Sequence, residues 1–86
     1  MIKLKDNVQY IQLRNKKNLV IDPIEDKVFE INDTAAEIIK GLQASCNNEE
    51  DIINYVSKNY ESSNIREDVT TFIKELFDLG LIQKNE

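Results

Sequence analysis

Val28-Phe29-Glu30-Ile31-Asn32-Asp33-Thr34-Ala35-Ala36-Glu37-Ile38-Ile39 changes its apolar period from two to about 3.6 within a single stretch. Its first four residues alternate, with Phe29 and Ile31 pointing one way and Val28 and Glu30 the other, as a strand requires. Ala35, Ile38, Ile39 and Leu42 then recur at i, i+3, i+4 and i+7, which is one face of a helix. Thr34 and Glu37 have capping-box spacing, and Asn32 is an equally suitable cap just before them. A strand running directly into a helix is therefore the organising junction of the chain.

Upstream, Val8 to Leu13 and Leu19 to Ile21 are β-rich runs separated by Arg14-Asn15-Lys16-Lys17-Asn18. Those polar residues suit a hairpin loop, with asparagine supplying tolerance of positive φ. Asp22-Pro23 ends the second run, because proline lacks a ladder donor. Ile24-Glu25-Asp26 makes a turn, and Lys27 to Ile31 forms the third strand of an antiparallel meander. Downstream, Gln43 to Asn48 is a connection, and Asn48 can cap a second helix whose first turn holds Glu49, Glu50 and Asp51. The buried stripe of that helix is expected at Ile52, Val56 and Tyr60, with Ile53 beside it. After the turn Glu61-Ser62-Ser63-Asn64, a third helix starts at Ser63 or Asn64 and carries Ile65, Val69, Phe72 and Leu76 on its central stripe. Gly80 suits the left-handed position that ends a helix, with Leu81 folding back on Leu76 as in a Schellman closure. Leu81 to Lys84 is a short tail that an extended conformation suits. The expected fold is α+β and winged-helix-like, a three-stranded antiparallel sheet followed by three helices, in a single domain over residues 1–86.

Composition narrows the function. Eighty-six residues support one thin core, with 41 % hydrophobic and 31 % charged residues. Eleven Lys and Arg against 16 Asp and Glu leave a net charge of −5, the wrong sign for a phosphate backbone. The apolar runs fall far short of the roughly 20 residues that cross a bilayer. No apolar signal segment follows the lysines of Met1-Ile2-Lys3-Leu4-Lys5-Asp6, so a cytoplasmic protein is expected. Cys46 has no second cysteine to pair with, and the chain contains no histidine. No cofactor or metal is expected, and no imidazole base is available for a catalytic triad.

What remains is a binding surface. On the third helix, Ile73 and Phe77 flank the central stripe on one side and Leu79 on the other. The apolar arc is about 160° wide by helical periodicity, against the roughly 100° of an ordinary surface helix. Part of it can line a groove whose other wall is the third strand, where an extended peptide adds through unpaired backbone groups. The candidate peptide-binding residues are Lys27, Val28, Phe29, Glu30 and Ile31 on the strand, with Arg66, Val69, Thr70, Ile73 and Phe77 on the helix. Of these, Phe29 and Val69 are better suited to the core than to contact, as is Phe72.

Three segments together resemble the PqqD-like family: Ile31-Asn32 with Thr34-Ala35-Ala36 and Ile38-Ile39, the stretch Ile52 to Tyr60, and Asp68-Val69, Phe72-Ile73, Leu76 and Gly80-Leu81-Ile82. The resemblance covers roughly residues 8 to 83. Cys46-Asn47-Asn48 departs from the family's usual small loop and threonine cap, a change confined to a turn. The resemblance implies a domain that captures the leader of a ribosomally made precursor peptide as an additional antiparallel strand, against the third strand and under the third helix. It implies a stand-alone carrier that delivers the leader to a separate peptide-modifying enzyme, such as a radical SAM enzyme or a lasso-type leader peptidase, without nucleic acid or membrane.

Other functions fare less well. A winged-helix DNA-binding or transcriptional regulatory module needs cations on its reading helix. The third helix sets Arg66 and Lys74 against Glu67, Asp68, Glu75 and Asp78. An acyl carrier needs a serine after an aspartate at a helix start, and no serine follows an aspartate here. Asn32-Asp33-Thr34 matches a glycosylation sequon but is explained by the cap. Glu49-Glu50-Asp51 lacks the ligand spacing of a calcium loop, and Cys46 has no basic neighbour in sequence to activate it.

Overall fold

A computed structural model describes residues 1–44, 46–59 and 63–84. Its elements, in chain order, are β1 (Ile2–Leu4), β2 (Gln9–Gln12), β3 (Asn18–Asp22), β4 (Lys27–Ile31), α1 (Asp33–Gln43), α2 (Glu49–Asn59), α3 (Ile65–Asp78) and β5 (Ile82–Lys84). Strands β2, β3 and β4 are the expected meander, antiparallel and in that spatial order. The fold class is α+β with a three-stranded antiparallel sheet followed by three helices, and β4 has the expected bounds.

Strand β1 is additional to the sequence expectation. It pairs with the C-terminal tail, placing Ile2 opposite Lys84 and Leu4 opposite Ile82, so the tail is a strand. The outer side of β1 is tied down by Ile2 N–H donating to the Asn47 carbonyl at 2.7 Å. Three residues are too few for a readable alternation, and the partner lies at the far end of the chain.

The turns show how local chemistry sets the frame. Lys16 N–H donates to the Leu13 carbonyl at 2.9 Å and Lys16 itself has φ 68°. This is a type I turn followed by a left-handed residue. The positive φ therefore falls on a lysine and not on an asparagine; Asn15 instead accepts from Lys17 N–H at 3.2 Å. Asp22 organises the next turn, accepting from Ile24 and Glu25 N–H, both at 3.2 Å. Asn32, and not Thr34, caps α1, accepting from Ala35 N–H at 2.8 Å, while Glu37 pairs with Lys40. Asn48 caps α2 as expected, accepting from Asp51 N–H at 2.9 Å.

At the end of α3, Gly80 has φ 77°, its N–H donates to Phe77 and the Leu81 N–H donates to Leu76, each at 3.0 Å. Those two bonds are the expected Schellman closure. They turn Leu81 fully inward to join Val20, Ile38, Ile39, Ile52, Val56, Val69 and Ile82 in the core. Each such side chain contributes about 1.5–3 kcal/mol by leaving water. The expected stripes of α1 and α2 are buried as read at Ala35, Ile38, Ile39, Leu42, Ile52 and Val56; Tyr60 lies outside the described residues.

Candidate functional site

Hydrogen-bond phase decides which backbone groups of β4 are open. Leu13 N–H donates to the Lys17 carbonyl at 2.8 Å, one step beyond the last paired row of β2 and β3, Gln12 with Asn18. Antiparallel rows alternate between bonded and non-bonded pairs. Leu19 and Ile21 therefore turn their backbone groups toward β2, while Asn18, Val20 and Asp22 turn theirs toward β4. Their partners on β4 are Ile31, Phe29 and Lys27. The residues left over are Val28 and Glu30, whose N–H and C=O groups face away from the sheet. Among the described residues no strand pairs with that edge.

Beside the edge lies a cavity of about 230 Å³. Phe29, Glu30, Ile31, Asn32 and Ala35 form one wall, and Phe72, Glu75, Leu76 and Leu79 of α3 form the other. Phe29, Ile31 and Phe72 are half-buried against the core, and Leu79 is 41 % exposed. The arrangement offers outward backbone donors and acceptors on one side and an apolar trough on the other.

The expected residues divide on this geometry. Lys27 to Ile31 share the open strand, with Phe29, Glu30 and Ile31 on the cavity and Lys27 and Val28 exposed outside it. The helix residues fall elsewhere. Val69 is fully buried and Ile73 is 5 % exposed, so both belong to the core. Thr70, Ile73 and Phe77 border a different depression of about 210 Å³, with Ile2, Lys74 and Lys84. There Lys84 Nζ stands 5.7 Å from the Phe77 ring centroid. Arg66 donates to the Glu50 carboxylate of α2 through both terminal guanidinium nitrogens, the Nη2 bond to Oε2 measuring 3.2 Å. That hydrogen bonding, and then the opposite charge, holds the Glu50 carboxyl below the usual range. The β1–β5 pair explains the division: it occupies the Ile73 and Phe77 side of α3, leaving the Phe72, Glu75 and Leu79 side toward β4. Leu79 was visible in sequence as the opposite flank of the arc, but its neighbour was not.

The sheet's other edge differs. By the same alternation Tyr10 and Gln12 of β2 turn their backbone groups outward. The adjoining cavity, about 340 Å³, is lined by Gln12, Lys16, Asn18, Asp33, Glu37 and Lys40 among others. Tyr10 Oη donates to Asn18 Oδ1 at 2.6 Å, and Asn18 Nδ2 donates to Asp33 Oδ1 at 2.9 Å. Lys40 pairs with Glu37 at 3.2 Å, which raises the lysine pKa.

A family model described as coenzyme PQQ synthesis protein D (PqqD) matches residues 18–82. Two solved structures share the fold. A lasso peptide synthetase B1 complexed with the leader peptide is 19 % identical over 96 % of this chain and 98 % of that one, with a TM-score of 0.75. TbiB1 in complex with the TbiA(beta) leader peptide is 15 % identical over 98 % of both chains, with a TM-score of 0.79. No curated protein matches. The matched region contains β3, β4 and all three helices, hence both walls of the apolar cavity.

Proposed function

The chain belongs to the PqqD family, and we propose that it is a non-catalytic binding protein that captures the leader segment of a ribosomally synthesised precursor and presents it to a separate modifying enzyme. The leader adds as a strand to β4, bonding the outward groups of Val28 and Glu30 and placing alternate side chains in the cavity against Phe72, Leu76 and Leu79. The observation that carries this reading is the coincidence of an open strand edge with an apolar trough beside it. Backbone bonds of this kind supply affinity, and the trough supplies selection. Both similar solved structures hold a leader peptide, which supports the same use of the fold here.

Nucleic-acid binding is not favoured, since α3 carries two cations against four carboxylates and Arg66 is already paired with Glu50. No helix among the described residues is long and apolar enough to cross a membrane. The test is titration with the leader and the core of a candidate precursor peptide separately, followed by amide hydrogen exchange. The leader should bind, protect the amides of Val28 and Glu30, and emerge chemically unchanged. Equal affinity for leader and core would overturn leader recognition.

A further inference from the structure

We infer that the segment captured on β4 carries, read from its N-terminus, an apolar residue opposite Ile31, a lysine or arginine opposite Glu30, and apolar residues opposite Phe29 and Val28. This rests on strand addition at β4, as proposed above, and specifies the chemistry of the captured segment.

The order follows from direction. Every strand pair among the described residues is antiparallel, and antiparallel pairing is slightly more stable per residue than parallel. An added antiparallel strand runs β4 backwards, meeting Ile31 first and Val28 last. Residues directly opposite share a face of the sheet. The side chains facing Ile31 and Phe29 thus turn toward α3, and those facing Glu30 and Val28 turn to the outer face. The cavity lies toward the C-terminal end of β4, since Ile31, Asn32 and Ala35 line it while Lys27 and Val28 do not. The residue opposite Ile31 is therefore the deepest anchor, and the one opposite Phe29 covers the nearer rim.

The outer face sets the other two positions. Val28 is 62 % exposed and stands beside Ile21, its partner on β3, so an apolar residue opposite it extends that row. Glu30 pairs with Lys17 at 3.7 Å, both side chains being more than half exposed, at 60 % and 57 %. A carboxylate accepts at two oxygens, so Glu30 can also receive a cation from the added strand. Opposite charges facing each other across strands stabilise, and like charges destabilise. The whole chain carries −5. An acidic residue opposite Glu30 therefore meets repulsion from the Glu30 carboxylate on the same face, within a chain that is acidic as a whole.

The test uses synthetic serine- and threonine-rich host peptides bearing a central Leu-Lys-Leu-Val, Leu-Glu-Leu-Val, or the reversed order Val-Leu-Lys-Leu. Each is titrated by amide chemical shifts into the full chain and into its Glu30→Lys variant. Leu-Lys-Leu-Val should shift the Val28 and Glu30 amides and bind about three- to tenfold tighter than the glutamate peptide, the range that cross-strand charge pairs allow. The reversed peptide should bind more weakly, and Glu30→Lys should invert the preference between lysine and glutamate. Shifts on β4 with equal affinity for the lysine and glutamate peptides, or a preference unchanged by Glu30→Lys, would overturn the pattern while leaving strand addition standing. Absence of shifts on β4 with every peptide would remove strand addition and the pattern together.

Discussion

Both edges of the β2-β3-β4 sheet leave two residues with outward backbone groups, Val28 and Glu30 on one side, Tyr10 and Gln12 on the other. The surfaces beside them differ in kind. The β4 edge borders a smaller, mainly apolar cavity of about 230 Å³. The β2 edge borders a larger one, about 340 Å³, whose walls present Asp33, Glu37, Lys16 and Lys40. An added strand at either edge gains backbone hydrogen bonds. Only at β4 does it also bury apolar side chains, at about 25 cal/mol per Å². At β2 the same strand would take solvated charges out of water, which opposes binding. An open edge is thus insufficient by itself, and the smaller of the two cavities is the one whose walls suit an added strand.

The largest effect should come from closing one edge at a time with proline. Glu30→Pro removes an outward N–H without removing a bond to β3, because Glu30 lies in a non-bonded row of the β3–β4 ladder. Gln12→Pro performs the same operation at the β2 edge. Glu30→Pro should lower leader affinity by more than about tenfold, from the lost bond together with the altered edge geometry. Gln12→Pro should leave it within about twofold, since the polar cavity is not where a peptide gains by adding. Calorimetric titration, after circular dichroism has shown both variants folded, reads the contrast. Equal losses would mean that the two edges are equivalent and that the cavities do not discriminate between them.

How much of this was legible in sequence depends on the range of the interactions. Lys27 to Ile31 could be read because alternation and a following cap are local signals, and Gly80 because a left-handed helix end needs glycine. Asn32 and Thr34 were both chemically able to cap α1, and only backbone geometry chose Asn32. The positive φ in the first hairpin fell on Lys16 because the turn type fixes the position before residue preference is consulted. The geometry of the candidate site was half legible. Periodicity showed that α3 is apolar on both flanks of its stripe. Which flank faces β4 depends on β1, a three-residue strand paired with the opposite end of the chain. Such non-local pairing leaves no mark on local periodicity.

A smaller effect separates the two flanks of α3. Leu79, on the β4 side, is 41 % exposed, and Phe77, on the other, is 49 % exposed. By exposed area alone, Phe77 would be at least as good a peptide contact. Leu79→Gln should weaken leader binding by about fivefold, equivalent to roughly 1 kcal/mol of lost apolar contact, whereas Phe77→Gln should not change it. Isothermal titration of both variants distinguishes position from mere hydrophobicity. The opposite ranking would move the leader to the β1–β5 side. Ile73→Asp is unsuitable for this purpose: Ile73 is 5 % exposed, so a charge there would unfold the domain before it reported on binding.

The smallest effect on binding should come from Tyr10→Phe at the β2 edge, and there the expected change is in stability. The Tyr10 hydroxyl donates to Asn18 Oδ1, and Asn18 is only 3 % exposed. Asn18 Nδ2 in turn donates to Asp33 in the first turn of α1, so the chain of bonds ties the first hairpin to the start of that helix. Removing the hydroxyl withdraws the donor from a buried acceptor, at a cost of about 1–3 kcal/mol. In a domain of this size each kcal/mol lowers Tm by about 4–8 °C. Leader affinity should nevertheless stay at the parent value below the transition, because none of these bonds touches the outward groups of Val28 and Glu30. Asp33 follows Asn32, which borders the apolar cavity, and Asn18 itself is paired with Ile31 of β4, so the start of α1 and strand β3 are routes by which the two edges could communicate. A Tm loss accompanied by weaker leader binding at a temperature where the variant is fully folded would show such a route in use, and the two edges would then have to be treated as coupled.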